Sequence, residues 1–275
     1  MSNLAISIDV SKHIVRLLHT KNNLPIYKEI NFSPNCIDDN GIVYEQIISQ
    51  VIAPYVYDKE NKISSVCFVM DDSFVFCDYI QIPAFIRRKK VQTINIEIAK
   101  RYNDIDSFTY RVKEIYSDKT KIAYSVFMAN NLALSRISLA LNKLKIPHKI
   151  TFSSACIANS LKHLYNSNQA PTLFAYIQDY DISLILCNND LIAFSKQVTT
   201  NTCNLVQILN KTCVDLAVYF GFEHINLKVV CKASNTFYKF DNSQLDIVNL
   251  SSLSLNNVDL WGAIKMQKNK KGLLF

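Results

Sequence analysis

The sequence predicts an α/β fold of two related lobes, with a small α+β subdomain inserted in the first. Three observations predict it. Residues 4–55 run strand, acidic turn, strand, hairpin, strand, helix, and residues 172–219 repeat that order. Residues 85–152 interrupt the pattern with a helix–strand–strand–helix–strand rhythm of their own. The chain has 275 residues, of which 49% are hydrophobic and 19% charged. That length fits about two ordinary domains, and that composition can bury a core.

The elements follow in order. Residues 4–10, 14–20 and 26–32 are apolar runs of strand length, and Lys21-Asn22-Asn23-Leu24-Pro25 has hairpin chemistry. Residues 42–55 place Val43, Ile47 and Val51, with Ile48, Ile52 and Tyr55, on one helical face. Residues 64–70 read as a buried strand, Asp71-Asp72 as a turn, and 73–82 as the returning strand before Pro83. Residues 85–102 form a basic amphipathic helix with Val91, Ile94, Ile98 and Tyr102 spaced for one side. Residues 108–116 and 121–128 are strands about an Asp118-Lys119 turn. Residues 131–145 are a helix with Ile137, Ala140, Leu141 and Leu144 inward, and 146–152 are a strand.

Ser153 or Ser154 can cap a helix through Ala158 and Leu161. Residues 166–171 are a turn-forming link. Strands at 172–177, 182–187 and 191–197 then surround turns at Asp179-Tyr180-Asp181 and Asn188-Asn189-Asp190. A helix over 203–219 and a buried strand over 227–231 follow. The expected division is 1–84 for the first part of lobe I, 85–152 for the inserted subdomain, 153–170 for a connecting helix and link, and 171–275 for lobe II. Two such halves imply a cleft between them.

Several function classes fall away on composition. No basic stretch followed by an apolar one opens the chain, so no secretory signal is expected. No apolar run reaches the ~18 residues of a membrane span. The eight cysteines form no C-x-x-C pair, and Cys67, Cys77, Cys187 and Cys231 lie in apolar strands. They read as buried small hydrophobes. The five histidines have no i, i+4 pair, which argues against zinc. The net charge of +7 is spread out, apart from Arg87-Arg88-Lys89-Lys90 and the terminal Lys268, Lys270 and Lys271. Either cluster can meet phosphate or a membrane surface, and a solvated helix face is the simpler reading. Glycine is scarce at 4 residues, where average usage would give about 19. Glycine is what lets a backbone curl around phosphate oxygens.

Five segments carry a resemblance. They are ISIDVSKHIVRLL, CIDDNGIVYEQIISQVI, DYIQIPAFIRRKKVQTINIEIAKRY, FAYIQDYDISLILCNNDLIAFSKQV and VDLWGAIKMQKNKKGLLF. In that order they resemble the actin-like ATPase superfamily with its ribonuclease H-like lobes, which includes actin, sugar kinases and heat-shock chaperones. Within it they resemble the PilM-type family of type IV pilus assembly proteins, relatives of FtsA. The resemblance assigns Asp9 to an aspartate that orders magnesium through water. Ser11 stands where the family has a phosphate-approaching glycine, and Lys12, His13 and Ile14 where it has phosphate-donating serines. Asp179 matches the aspartate of the second phosphate hairpin, with Asp181 in place of a glycine. The adenosine loop, Gly-Gly in the family, is Lys232-Ala233-Ser234.

A Cβ where φ must be positive strains a turn, and a second carboxylate repels phosphate. The expectation is therefore a degenerate ATPase with no catalytic residue, metal or cofactor. The alternative is weak ATP and magnesium binding at Asp9, Ser11, Lys12 and Asp179, with Lys12 donating to phosphate. The PilM resemblance further implies a scaffold of a type IV pilus or type II secretion-like machine, at the cytoplasmic face of the inner membrane. Its partner would be the short N-terminal cytoplasmic tail of a PilN-like membrane protein. That tail would lie in a groove near Ile82, Pro83, Ile86, Arg87 and Tyr102, although for any one of these taken singly plain subdomain core is the better reading. Self-association is a further expectation, nucleic acid is not expected, and membrane contact is indirect. Two alternatives remain: an active ATPase or kinase with divergent loops, and FtsA-like membrane recruitment through residues 268–275.

Overall fold

The computed structural model describes residues 2–22, 24–38, 41–85, 90–102, 104–161, 171–178, 181–188, 191–199, 205–231, 246–249 and 258–268. The chain divides into two compact units. The first comprises Met1–Val75, Ala129–Ser160 and Asn257–Phe275, and the second Phe76–Met128 and Leu161–Asn256.

The first unit is built on a five-stranded sheet. Its members are β1 (Ser2–Asp9), β2 (Ile14–Lys21), β3 (Leu24–Asn31), β6 (Ile63–Met70) and β10 (His148–Phe152), in the order β10-β6-β1-β2-β3. Two hairpins make the β1-β2-β3 edge antiparallel, while β1 and β10 both run parallel to β6. Strands buried on both faces need near-continuous apolar runs, and β1 supplies Leu4, Ala5 and Ile6, all fully buried. β3 lies at the edge, mostly exposed, with Pro25 near its start where no ladder donor is needed. A short ladder joins β4 (Ile37–Asp38) to β5 (Gly41–Ile42).

The first long helix is interrupted. α1 (Tyr44–Ile47) passes through a π segment, Ile48–Ile52, into α2 (Ala53–Tyr57). Pro54 has no N–H to give to the turn before it, and the wider π turn absorbs that loss. Tyr44, Ile47, Ile48, Val51, Ile52, Tyr55 and Val56 are buried along it. α4 (Asn131–Asn142) packs on α1 and β10, and its first turn is capped by Asn130, whose side chain accepts from the Ala133 N–H at 3.0 Å. α5 (Ser153–Leu161) follows β10 directly. α7 (Val258–Lys268) lies along β1, β6 and β2.

The second unit contains an eight-stranded sheet in the order β15-β14-β11-β12-β13-β7-β9-β8. Its strands are β7 (Val75–Pro83), β8 (Phe108–Ser117), β9 (Lys121–Asn130), β11 (Thr172–Gln178), β12 (Asp181–Asn188), β13 (Leu191–Thr199), β14 (Asn226–Cys231) and β15 (Asp246–Asn249). The terminal residues of β7 and β9, Val75 and Ala129–Asn130, group with the first unit. α3 (Lys90–Arg101) and α6 (Leu205–Phe220) complete the unit. One apolar cluster joins Ile80, Ile82 and Met128 to Ile94 and Ile98 of α3. Another joins β11, β12 and β14 to Leu205, Leu209, Leu216 and Phe220 of α6.

Two features differ from the expected division. The strand expected to end the insert, β10, hydrogen-bonds to β6 in the first sheet, with Ile150 opposite Phe68. The insert's spatial unit therefore closes at Met128, although its chain is threaded between two strands of the first sheet. Its strands also join the sheet of the second half, through a single pairing of Ser195 with Cys77. β15 was not foreseen from the sequence. It pairs parallel to β14, with Ile247 opposite Val229. Among the described cysteines, Cys36, Cys67, Cys77, Cys156 and Cys187 are buried. The side chain of Cys231 and the link at 166–170 lie outside the described residues.

Candidate functional site

In a sheet with parallel strands, ligands gather beyond the carboxyl ends of those strands. In the first unit that edge is formed by Asp9 at the end of β1, Asp71 and Asp72 after β6, and Ser153 and Ser154 after β10. The registers Ser7↔Val69 and Phe152↔Met70 bring Asp9 level with Asp71, and Ser154 level with Asp72.

The first hairpin is held by its own aspartate. Ser11 Oγ donates to Asp9 Oδ1 at 2.7 Å, and the Lys12 N–H donates to the same oxygen at 3.2 Å. Lys12 Nζ lies 3.9 Å from Asp9 Oδ2. The His13 N–H donates to the Val10 carbonyl at 3.3 Å. Two of the amides that a phosphate would use are thus spent inside the turn. The left-handed residue is His13, at φ 55°. Ser11 has no positive φ, so the strain expected there is absent. Histidine is among the residues that tolerate this region best, and its ring packs against Phe32 at 5.6 Å. Ser11, Lys12 and Asp9 are therefore brought together, as partners of one another.

Behind the hairpin lies a polar cluster that the sequence reading missed. The Ser154 N–H and Oγ donate to Asp72 Oδ1 at 3.0 and 3.2 Å. The start of α5 is thus capped from a different element, where the sequence suggested a serine cap. Asp72 keeps some exposed surface as a residue, but its carboxyl is enclosed. Burial pushes that carboxyl up to about 7, the neighbouring Asp71 and Asp259 adding to the effect and Ser154 opposing it. Asp259, at the start of α7, accepts from Arg16 Nη2 on β2 at 2.9 Å. No group of three metal-ligating side chains occurs among the described residues.

The groove residues are placed differently. Ile82 is 2% exposed, inside the α3 core. Tyr102 packs on Phe76 at 5.2 Å and donates its hydroxyl to Asp78 Oδ2 at 2.8 Å. Asp78 also receives Arg101 Nη1 at 2.9 Å. Pro83 is exposed, and Phe85 just after it is 86% exposed. Ile86 and Arg87 lie outside the described residues, as do Asp179, Lys232-Ala233-Ser234, residues 269–275 and the side chain of Asp181.

Comparison with solved structures decides the fold. The chain is similar to one in the PilM–PilN type IV pilus biogenesis complex, at a TM-score of 0.67 and 11% identity, over 96% of both chains. It is also similar to a Bacteroides thetaiotaomicron protein with an actin-like ATPase fold, at a TM-score of 0.52 and 8% identity, over 96% and 95% of the two chains. This chain has the actin-like ATPase fold. A third chain sharing the likeness is the cytoplasmic domain of EpsL, an inner-membrane component of the type II secretion system of Vibrio cholerae. There the TM-score is 0.55 and the identity 11%, over 98% of this chain and 95% of that one. No protein-family model and no curated protein matches the sequence. The fold accounts for the doubled strand–hairpin–strand–helix pattern of the sequence. Within it, Asp9 and Asp72 occupy the strand ends of the first lobe.

Proposed function

We propose that this chain is a PilM-like scaffold of a type IV pilus or type II secretion-like machine, working at the cytoplasmic face of the inner membrane and binding the N-terminal tail of a PilN-like membrane protein. The observation that carries the reading is the likeness to a chain of the PilM–PilN complex over 96% of both chains. The likeness to cytoplasmic EpsL points the same way. Among the described residues no helix is long and apolar enough to cross a membrane, which agrees with attachment through a partner. Among the described residues near the expected groove, Pro83 and Phe85 are exposed and available to a peptide.

On this reading the chain does not turn over ATP. The residues of the first hairpin do not fit a triphosphate. Asp9 holds the Lys12 amide and ammonium, and Val10 holds the His13 amide. The test is titration of the purified protein with a synthetic peptide of the N-terminal cytoplasmic tail of a PilN-like membrane protein encoded beside this chain. One-to-one binding is expected, weakened about tenfold by Phe85→Ala. No binding at millimolar peptide rejects the scaffold reading. A second arm measures thermal unfolding with millimolar ATP and magnesium. No shift is expected, because only a ligand of the native state raises stability. A rise of several degrees rejects the degenerate-site reading and leaves the peptide result standing.

A further inference from the structure

α6 buries Leu205, Leu209, Leu216 and Phe220 on one side and turns an unusual face outward. Val218 is 79% exposed, Val214 63% and Ile208 42%. Exposed apolar residues scattered singly need no explanation, but these lie together on a single helix. Between them stand two charges, Lys211 and Asp215, one turn apart. Neither makes an ion pair among the described residues, although they share a face. Their order, cation before anion, is the weaker orientation within a helix.

We propose that this face of α6 pairs antiparallel with α6 of a second copy of the chain. A two-fold axis level with Cys213 sets Lys211 of each copy against Asp215 of the other. The same axis sets Ile208 against Val218 of the other copy, twice over, and brings Val214 close to the axis. One register thus satisfies both charges and covers the most exposed valine. An isologous contact must be complementary to itself, and this stripe is. A heterologous partner would need only one end of it. The inference stands on the second unit alone and is independent of peptide or nucleotide binding. A contact of one helix per copy falls below the standard interface size, so the dimer is weak and appears only at raised concentration.

Sedimentation equilibrium of the full chain, from about 5 to 500 μM, tests it in the range where such small interfaces associate. A reversible monomer–dimer equilibrium is expected. Val218→Glu should abolish it. Lys211→Asp and Asp215→Lys should each weaken it about tenfold or more by setting like charges opposite, and the double swap should restore it. Unchanged circular dichroism confirms that each variant is folded. A wild type monomeric throughout overturns the proposal. So does a dimer that none of these substitutions alters, because its contact then lies elsewhere. Failure of the double swap to rescue overturns the register.

Discussion

Single residues carry much of the first unit. Gly262 of α7 is one of only 4 glycines. A Cβ there would sit 1.8 Å from the Cys156 carbonyl oxygen, a backbone atom that cannot swing away. Asn159 Nδ2 donates to the Gly262 carbonyl at 3.1 Å, and Ser160 Oγ donates to the Val258 carbonyl at 2.7 Å, locking the two helices at this approach. Gly262→Ala should cost more than about 3 kcal/mol or prevent folding, as measured by chemical denaturation. Asp72 gives a pH signature. Its folded-state value, about 7, stands above the ordinary carboxyl value, so the folded protein holds this proton more tightly than the unfolded chain does. Its stabilising contribution is complete below about pH 4 and is lost as the pH rises through about 7. Asp72→Asn keeps an oxygen for the Ser154 N–H. It should flatten the loss and leave the variant about 1–3 kcal/mol more stable than the wild type at pH 8. His19 works in the opposite sense. Burial and then Lys21 hold its imidazole below the ordinary range, so its contribution is lost as the pH falls below about 6.5. A unit without Asp72 should therefore keep the acid-side loss that His19 produces. Asp9 was legible in the sequence because a turn aspartate acts on its neighbours. Asp72 was not, since its partner lies 82 residues away, nor was Arg16, whose carboxylate lies 243 residues on.

At the scale of elements, the strands were legible and their partners less so. Apolar alternation and hairpin chemistry mark β1, β2 and β3, because each pairs with its neighbour in sequence. β10 has the same apolar character as any buried strand, and nothing in His148–Phe152 says which sheet it joins. The helix over 85–102 was read from Ile94 and Ile98, and these do face its core. Val91, expected on the same side, sits in the first turn and is 63% exposed. The end of α3 is held by Asp78, which accepts from Arg101 and Tyr102 and lies against the β7 backbone. Tyr102 is correspondingly held in its neutral form, first by burial and then by its bond to Asp78. Asp78→Ala should loosen this helix, with a cost of about 1–3 kcal/mol in denaturation. Its amides should exchange faster than those of α6, measured by hydrogen exchange. Equal protection in wild type and variant would reject this role for Asp78.

At the scale of the whole chain, the doubled pattern was the strongest signal and the fold followed from it. What it left out was how three separate segments make one unit. Val258, Leu260, Ala263, Ile264 and Met266 of α7 are all nearly inaccessible to water. Removing residues 257 onward should therefore expose the flank of β1 and β6 and unfold the first unit. Limited proteolysis should then digest Met1–Val75, while the second unit, whose segments end at Asn256, survives. The threading also dictates an order of events during synthesis. β1 and β6 leave the ribosome well before α7, the helix that covers them. The second unit has all its parts while the first is still waiting, its earliest apolar residues open to water until translation passes residue 268. A nascent chain stalled before that point is the form most open to capture by chaperones.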